Sequence, residues 1–156
     1  MIMSKLGFSK RDNYSRCKNS AIYSLAMREH SRQELRNKLT KKDYVEGVDL
    51  DKLLDELESS DYQSDQRFAE SFIRTRVSRG QGKVKILNEL KQRGVCASLI
   101  NHSIQESNIN WLDLAGKIRE RKFGGSTPVD YKEKTKQMRF LSSRGFDSEM
   151  IRHAVG

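Results

Sequence analysis

Proline is almost missing from this sequence. Pro128 is the only one in 156 residues, so elsewhere no ring removes a backbone donor or clashes with the preceding helical turn. Sustained apolar–polar alternation is missing as well, and with it the usual mark of half-buried strands. Both absences favour helix almost throughout. Cysteine is scarce: Cys17 and Cys96 stand far apart with no C-x-x-C, which excludes a disulfide framework or a zinc module and suits a reducing cytoplasm. No apolar run reaches the length of a signal-peptide core or a membrane span, so a cytoplasmic protein without a membrane partner is expected. The chain has no G-x-S-x-G elbow, no H-E-x-x-H and no Cys/His dyad. His30, His102 and His153 are scattered, with no carboxylate or thiol at ligand spacing. No enzymatic activity, no metal and no cofactor are expected.

What the chain has in excess is positive charge. Thirty Lys and Arg face 21 Asp and Glu, for a net charge of +9, which points to polyanions or an acidic partner as well as to simple solubility. The charge is segregated. Residues 1–42 carry +8, 46–65 carry −7, 67–93 carry +6 and 117–144 carry +6. An acidic stretch thus interrupts three basic ones.

The chain also has a period. Leu39, Leu90 and Leu141 lie 51 positions apart, as do Ile22 and Ile73, and Gly94-Val95 recurs as Gly145-Phe146 at the same interval. Ile100 and Ile104 recur as Ile151 and Val155. Gly47-Val48, Leu53 and Leu57 match that group at a spacing of 47, as if four residues were added to the first repeat's loop. A fixed period of this size marks repeats that bury their apolar faces on one another and offer a long surface rather than a pocket.

Within each repeat the apolar spacing predicts three helices. In the first, Ala21, Ile22, Leu25 and Ala26 share a face from about Ser15. Ser31 with Glu34 forms a capping box for a helix carrying Leu35 and Leu39, and Asp49 caps a third bearing Leu50, Leu53, Leu54 and Leu57. In the second, Asp65 is read as the cap of a helix closed by Gly80 in the left-handed conformation, followed by a helix from Lys83 to Arg93. In the third, Asn110 opens a helix, and Gly124 to Asp130 is the most turn-rich loop and the expected hinge. The predicted architecture is all-α: a flexible basic segment over 1–14, then three-helix repeats at 15–62, 63–107 and 108–156, nine helices in an elongated, curved array.

Candidate binding residues follow from the helical wheel. Arg67 and Arg74 project opposite the apolar stripe of their helix, Arg76 and Arg79 sit near its edge, and Lys83 and Lys85 open the next helix. Glu70 can pair with Arg74, and Glu89 with Lys85 or Arg93, at i,i+4 spacing. Arg67, Arg76, Arg79 and Lys83 have no obvious local acid. Lys117 and Arg121 lie one turn apart and repel, which favours an external anion or the acidic helix of the first repeat. Gly80-Gln81-Gly82 lacks both the dinucleotide spacing and the G-K-[ST] of a phosphate loop, so it reads as a helix–turn–helix corner.

The run Asp65-Gln66-Arg67-Phe68-Ala69, then Arg74-Thr75-Arg76, Gly80-Gln81-Gly82 and Ile86-Leu87-Asn88-Glu89-Leu90-Lys91-Gln92-Arg93-Gly94-Val95 resembles the RecX regulators of bacterial recombination. Arg28 to Leu35 and Arg139 to Phe146 agree with it, so the likeness covers about Ser15 to the end. Lys83 stands where that family usually has proline, and Gln63-Ser64 replaces its usual leucine-aspartate. The resemblance implies a non-enzymatic modulator that lies in the groove of the RecA–DNA filament, blocks its extension, and damps strand exchange, ATPase and coprotease activities in DNA repair and the SOS response. It implies RecA as a partner; the basic charge adds single- and double-stranded DNA, and a monomer is expected. The residues alone also fit a stand-alone DNA-binding module or a helical adaptor for an acidic protein.

Overall fold

A computed structural model describes residues 9–156. They form nine helices and no strand: α1 (Lys10–Met27), α2 (Arg32–Thr40), α3 (Leu50–Ser59), α4 (Asp65–Ser78), α5 (Lys83–Gln92), α6 (Ala97–Glu106), α7 (Trp111–Phe123), α8 (Tyr131–Ser143) and α9 (Ser148–Val155). The all-helical expectation holds. The expected flexible segment over 1–14 lies outside the described residues as far as residue 8. Beyond it the chain is already helical at Lys10 rather than near Ser15. The reason is local: Ser9 and Asp12 form a capping box, which satisfies two orphan donors of the first turn.

The chain divides into two compact units, one running to Ala69 and including Arg93–Val95, the other comprising Glu70–Gln92 and Cys96–Gly156. In the first, α1, α2 and α3 enclose Cys17, Ala21, Leu35, Leu39, Leu53, Leu54 and Leu57. Ile22 and Leu25 pack against this cluster, whereas Ala26 is exposed, since α1 turns it away from α2 and α3. Ser31 and Glu34 form the predicted capping box, and the Asp49 carboxylate accepts the N–H of Lys52 at 3.1 Å. Asp65 behaves differently from the expectation. It is the first residue of α4, and Ser64 caps that helix by accepting the N–H of Arg67 at 3.2 Å. The Asp65 carboxylate instead accepts the N–H of Arg32 at 2.8 Å, adding a negative group at the N-terminus of α2, where the helix dipole favours one.

The acidic stretch folds onto this unit's own cations. Arg32 pairs with Asp55 at 2.8 Å and Glu58 at 3.2 Å, Lys18 pairs with Glu56 at 3.6 Å, and Arg36 pairs with Asp51. Glu34 gathers Arg28 and Arg93 at 3.1 and 2.6 Å. Burial alone would push the Glu34 carboxyl up, but Arg28, the Ser31 N–H and Arg93 outweigh it and hold the group below its ordinary value. Across the same junction, the Ser31 hydroxyl donates to the Arg93 carbonyl at 2.7 Å. A Cβ on Gly94, at φ +84°, would stand 2.6 Å from the Gln33 Cβ, so only glycine fits that approach.

In the second unit, α7, α8 and α9 bury Ala115, Ile118, Leu141, Phe146, Met150, Ile151 and Val155, and Ile73, Ile86, Leu90, Ile100 and Ile104 are buried on α4, α5 and α6. Asn110 caps α7 as expected, accepting the N–H of Asp113 at 3.0 Å. Gly80 ends α4 at φ +79°. Its N–H donates to Val77 and that of Gln81 to Arg76, the paired bonds of a Schellman closure. The corner that follows grips the turn after α8: Gly82 N–H donates to the Arg144 carbonyl at 2.7 Å and Val84 N–H to that of Gly145 at 2.9 Å. A Cβ on Gly82 would lie 2.5 Å from the Gly145 carbonyl group. Gly80-Gln81-Gly82 therefore serves close backbone packing.

Candidate polyanion-binding face

The eight cations selected from the sequence fall into three environments. Arg67 and Arg76 are held internally, contrary to the expectation that they lack acids. In the first unit, the Arg67 guanidinium donates to the Asp61 carboxylate at 2.7 Å, the Asp61 carbonyl at 2.8 Å and Glu29 at 3.1 Å, and the bond to Asp61 raises its pKa. Asp61 reaches it because the residue takes a left-handed backbone, φ +63°, which turns the chain sharply after α3. That turn leaves no trace in residue spacing. In the second unit, Arg76 lies 3.6 Å from Glu89 and stacks over Phe72 at 4.5 Å. Glu89 thus pairs between helices.

Lys117 is exposed and pairs with Asp113 at 3.0 Å, one turn back along α7. Its repulsion from Arg121 is relieved from within the helix. An exposed pair of this kind contributes about 0–1 kcal/mol and leaves the side chain available for exchange.

Arg74, Arg79, Lys85 and Arg121 are exposed, and Lys83 is half-buried. Arg74 borders a groove of about 490 Å³ between α4 and α6, with Ile73, Val77 and Ile109 in its lining. Arg79 and Arg121 come together, joined by two residues the sequence reading did not select, Lys122 and Arg144. These four side chains surround a cleft of about 160 Å³ floored by Gly80, Ile118 and Phe140. Over the Phe140 ring, the Arg144 guanidinium lies at 5.1 Å and the Lys122 ammonium at 5.6 Å. Phe140 is fixed in turn by an edge-to-face contact with Phe123, centroids 5.4 Å apart. Stacking on a ring orients a cation while leaving its outward donors open. Four like charges around one small cleft are suited to an anion, since a negative group entering the cleft relieves their mutual repulsion. Arg144 had a signal in the sequence: it is the 51-residue counterpart of Arg93. Lys122 had none beyond its charge.

Metal chemistry has little to build on. Among the described residues no three His, Cys, Asp or Glu gather in a way that could hold an ion; His102 and His153 are exposed and Cys17 and Cys96 are free thiols. No described helix is long and apolar enough to cross a membrane.

Three family models match in series: the first three-helix domain of RecX over residues 17–48, the second over 64–104 and the third over 110–155. The chain belongs to the RecX family. The regulatory protein RecX of Chromohalobacter salexigens is 41% identical over 138 residues, covering 88% of this chain and 90% of that one. That of Halorhodospira halophila is 39% identical over 138 residues, covering 88% and 85%. Among solved structures, RecX from Lactobacillus salivarius superposes with a TM-score of 0.75 at 19% identity, over 93% of this chain and 96% of that one, which supports the fold. RecX is a family of regulatory proteins, so the chain is assigned a regulatory role.

Proposed function

We propose that this protein binds the RecA–DNA filament and restrains its extension, lowering recombinase, ATPase and coprotease output without catalysing a reaction itself. The observation that carries the reading is the uneven neutralisation of charge within a RecX chain. In the first unit Asp51, Asp55, Glu56 and Glu58 engage Lys18, Arg32 and Arg36, and the stretch 46–65, at −7, offsets most of that unit's positive charge. The second unit keeps Arg74, Arg79, Lys85, Arg121 and Lys122 exposed. Exposed, unneutralised cations on a folded face raise the local concentration of a polyanion and speed its encounter. On this reading Arg74, Arg79, Lys83, Lys85, Lys117 and Arg121 meet the filament together with Lys122 and Arg144, while Arg67 and Arg76 act in folding.

The test is RecA ATPase on single-stranded DNA with this protein added below stoichiometry. The rate should fall, and Arg79→Glu with Arg121→Glu should remove the effect while the far-ultraviolet spectrum stays helical. An unchanged ATPase rate at every ratio sinks the proposal. The Arg79–Arg121–Lys122–Arg144 cleft also favours a second reading, direct binding to naked DNA through phosphates. That reading expects affinity to fall with salt at a slope of about −0.9 per phosphate neutralised, with no effect on RecA.

A further inference from the structure

The two junctions described above repeat with the sequence period. Ser31 and Gly82 are 51 residues apart, and so are the carbonyls they bind, those of Arg93 and Arg144. In each case the N-terminal end of a repeat's second helix receives the glycine turn of the following repeat. The apolar residue after that glycine is buried, Val95 in one and Phe146 in the other. The third copy of this receiving face is the start of α8, where Glu133 stands 51 residues beyond Gly82. Here α8 begins earlier, capped by Asp130, and the added turn carries apolar groups into solvent: Val129 is 89% and Tyr131 85% exposed. They border an open concavity of about 780 Å³ whose flank carries Lys132, Lys136 and Arg139 against Asp130 and Glu133, a net excess of one positive charge.

The complementary element lies in the first repeat, where Val48 packs on the edge of the core. Gly47-Val48 is the counterpart of Gly94-Val95 and Gly145-Phe146, and Gly47 has the same left-handed backbone, φ +77°. In place of a packed helix, an added Cβ there would meet the flexible stem of Lys10 at 3.3 Å. Val48 is only half-buried, and Asp43, Glu46 and Asp49 around it are exposed. A terminal repeat normally presents a polar outer face. Here the third repeat instead carries an apolar receiving face with an excess of cations, and the first an apolar turn flanked by exposed acids.

We propose that the Gly47-Val48 turn of one copy docks on the Val129–Arg139 face of a second copy, giving head-to-tail self-association. Val48 meets the Val129 and Tyr131 surface, and Asp43 and Glu46 face Lys132 and Lys136. Because the two surfaces differ, the contact is heterologous, and the copies join head to tail in a ring or an open row. The proposal stands whether or not the protein acts on RecA.

Sedimentation equilibrium of the full chain at low ionic strength, where exposed charges are least screened, is the test. The average mass should rise with concentration above that of one chain, and fall back on adding salt. Lys132→Glu with Lys136→Glu should abolish the rise, and so should Asp43→Lys with Glu46→Lys, with helical content unchanged because all four side chains are exposed. Mixing the two double variants should restore it, since each then offers what the other lacks. A mass equal to one chain at every concentration, or double variants that still associate as the native chain does, would overturn the proposal.

Discussion

Replacing Gly82 by alanine adds one methyl group at the point where two turns of the second unit meet. That carbon would fall 2.5 Å from the Gly145 carbonyl carbon and oxygen and 2.7 Å from the Phe146 nitrogen. All three are backbone atoms, so no rotamer change can make room; the corner at 80–82 must back away from the turn at 144–146. Such a shift breaks or stretches the Gly82–Arg144 and Val84–Gly145 bonds. Overpacking costs about 1–3 kcal/mol and each lost bond about 0.5–1.5 kcal/mol, so the second unit should lose about 2–6 kcal/mol. At about 2–4 °C per kcal/mol for a chain of this size, the melting temperature drops by about 4 °C or more. Trp111 is the only tryptophan and packs on the core of that unit, so its fluorescence during urea unfolding reads the relevant transition. Gly116→Ala is the internal control. It lies within α7 with no atom within 4 Å of an added Cβ, and should stabilise by about 0.5–1 kcal/mol. If both substitutions move stability the same way, or Gly82→Ala leaves it unchanged, the close-packing account of the corner is wrong.

Other perturbations separate folding roles from binding roles. Leu90 is fully buried, and Leu90→Ala should cost about 2–5 kcal/mol in urea unfolding. Arg67→Ala should cost about 1 kcal/mol through its exposed partners Asp61 and Glu29 and leave filament binding in place, whereas Arg74→Ala should change stability by less than about 0.5 kcal/mol and weaken binding. Glu34 titrates below its ordinary value, so its contribution to stability is fully present above about pH 4.3, the usual value for glutamate, and is lost as pH falls below that. Acid titration of Glu34→Gln should show a shallower loss over that range than the native chain.

Much of the fold was legible because it follows from local rules. The Ser31–Glu34 box, the Asp49 and Asn110 caps and the glycine at the end of α4 are decided within three or four residues, and the sequence displays them directly. The errors arose where distant segments compete for the same group. Asp65 reads as a cap of its own helix, yet its carboxylate is taken by Arg32 because Ser64 supplies the cap instead. Arg67 reads as unneutralised, yet the turn at Asp61 brings a carboxylate beneath it. The cleft around Phe140 was half legible: Arg79 and Arg121 stood out by position and Lys122 follows Arg121 on α7, while Arg144 joins them only because α8 returns along α7.

The division of charge between the units is the step that links packing to function. An acidic helix placed in the middle of a basic chain could in principle neutralise any of the three cationic stretches. It instead engages Lys18, Arg32 and Arg36 of its own repeat, and these pairs contribute modestly, since most are partly exposed. Their greater effect is on what remains. With Lys18, Arg32 and Arg36 occupied at close range and the stretch 46–65 contributing −7, attraction for a distant polyanion is stronger at α4, α5, α7 and the end of α8, and screening at physiological salt confines it to about 8 Å from those helices. Had the acids been spread evenly along the chain, the same net charge would give a weaker and less directed field. Reversing Asp51 and Asp55 to lysine should therefore raise affinity for nucleic acid while reducing discrimination between the RecA filament and naked DNA, measured as the ratio of the two dissociation constants. A ratio that stays at the native value would show that the acidic helix serves only the fold of its own repeat.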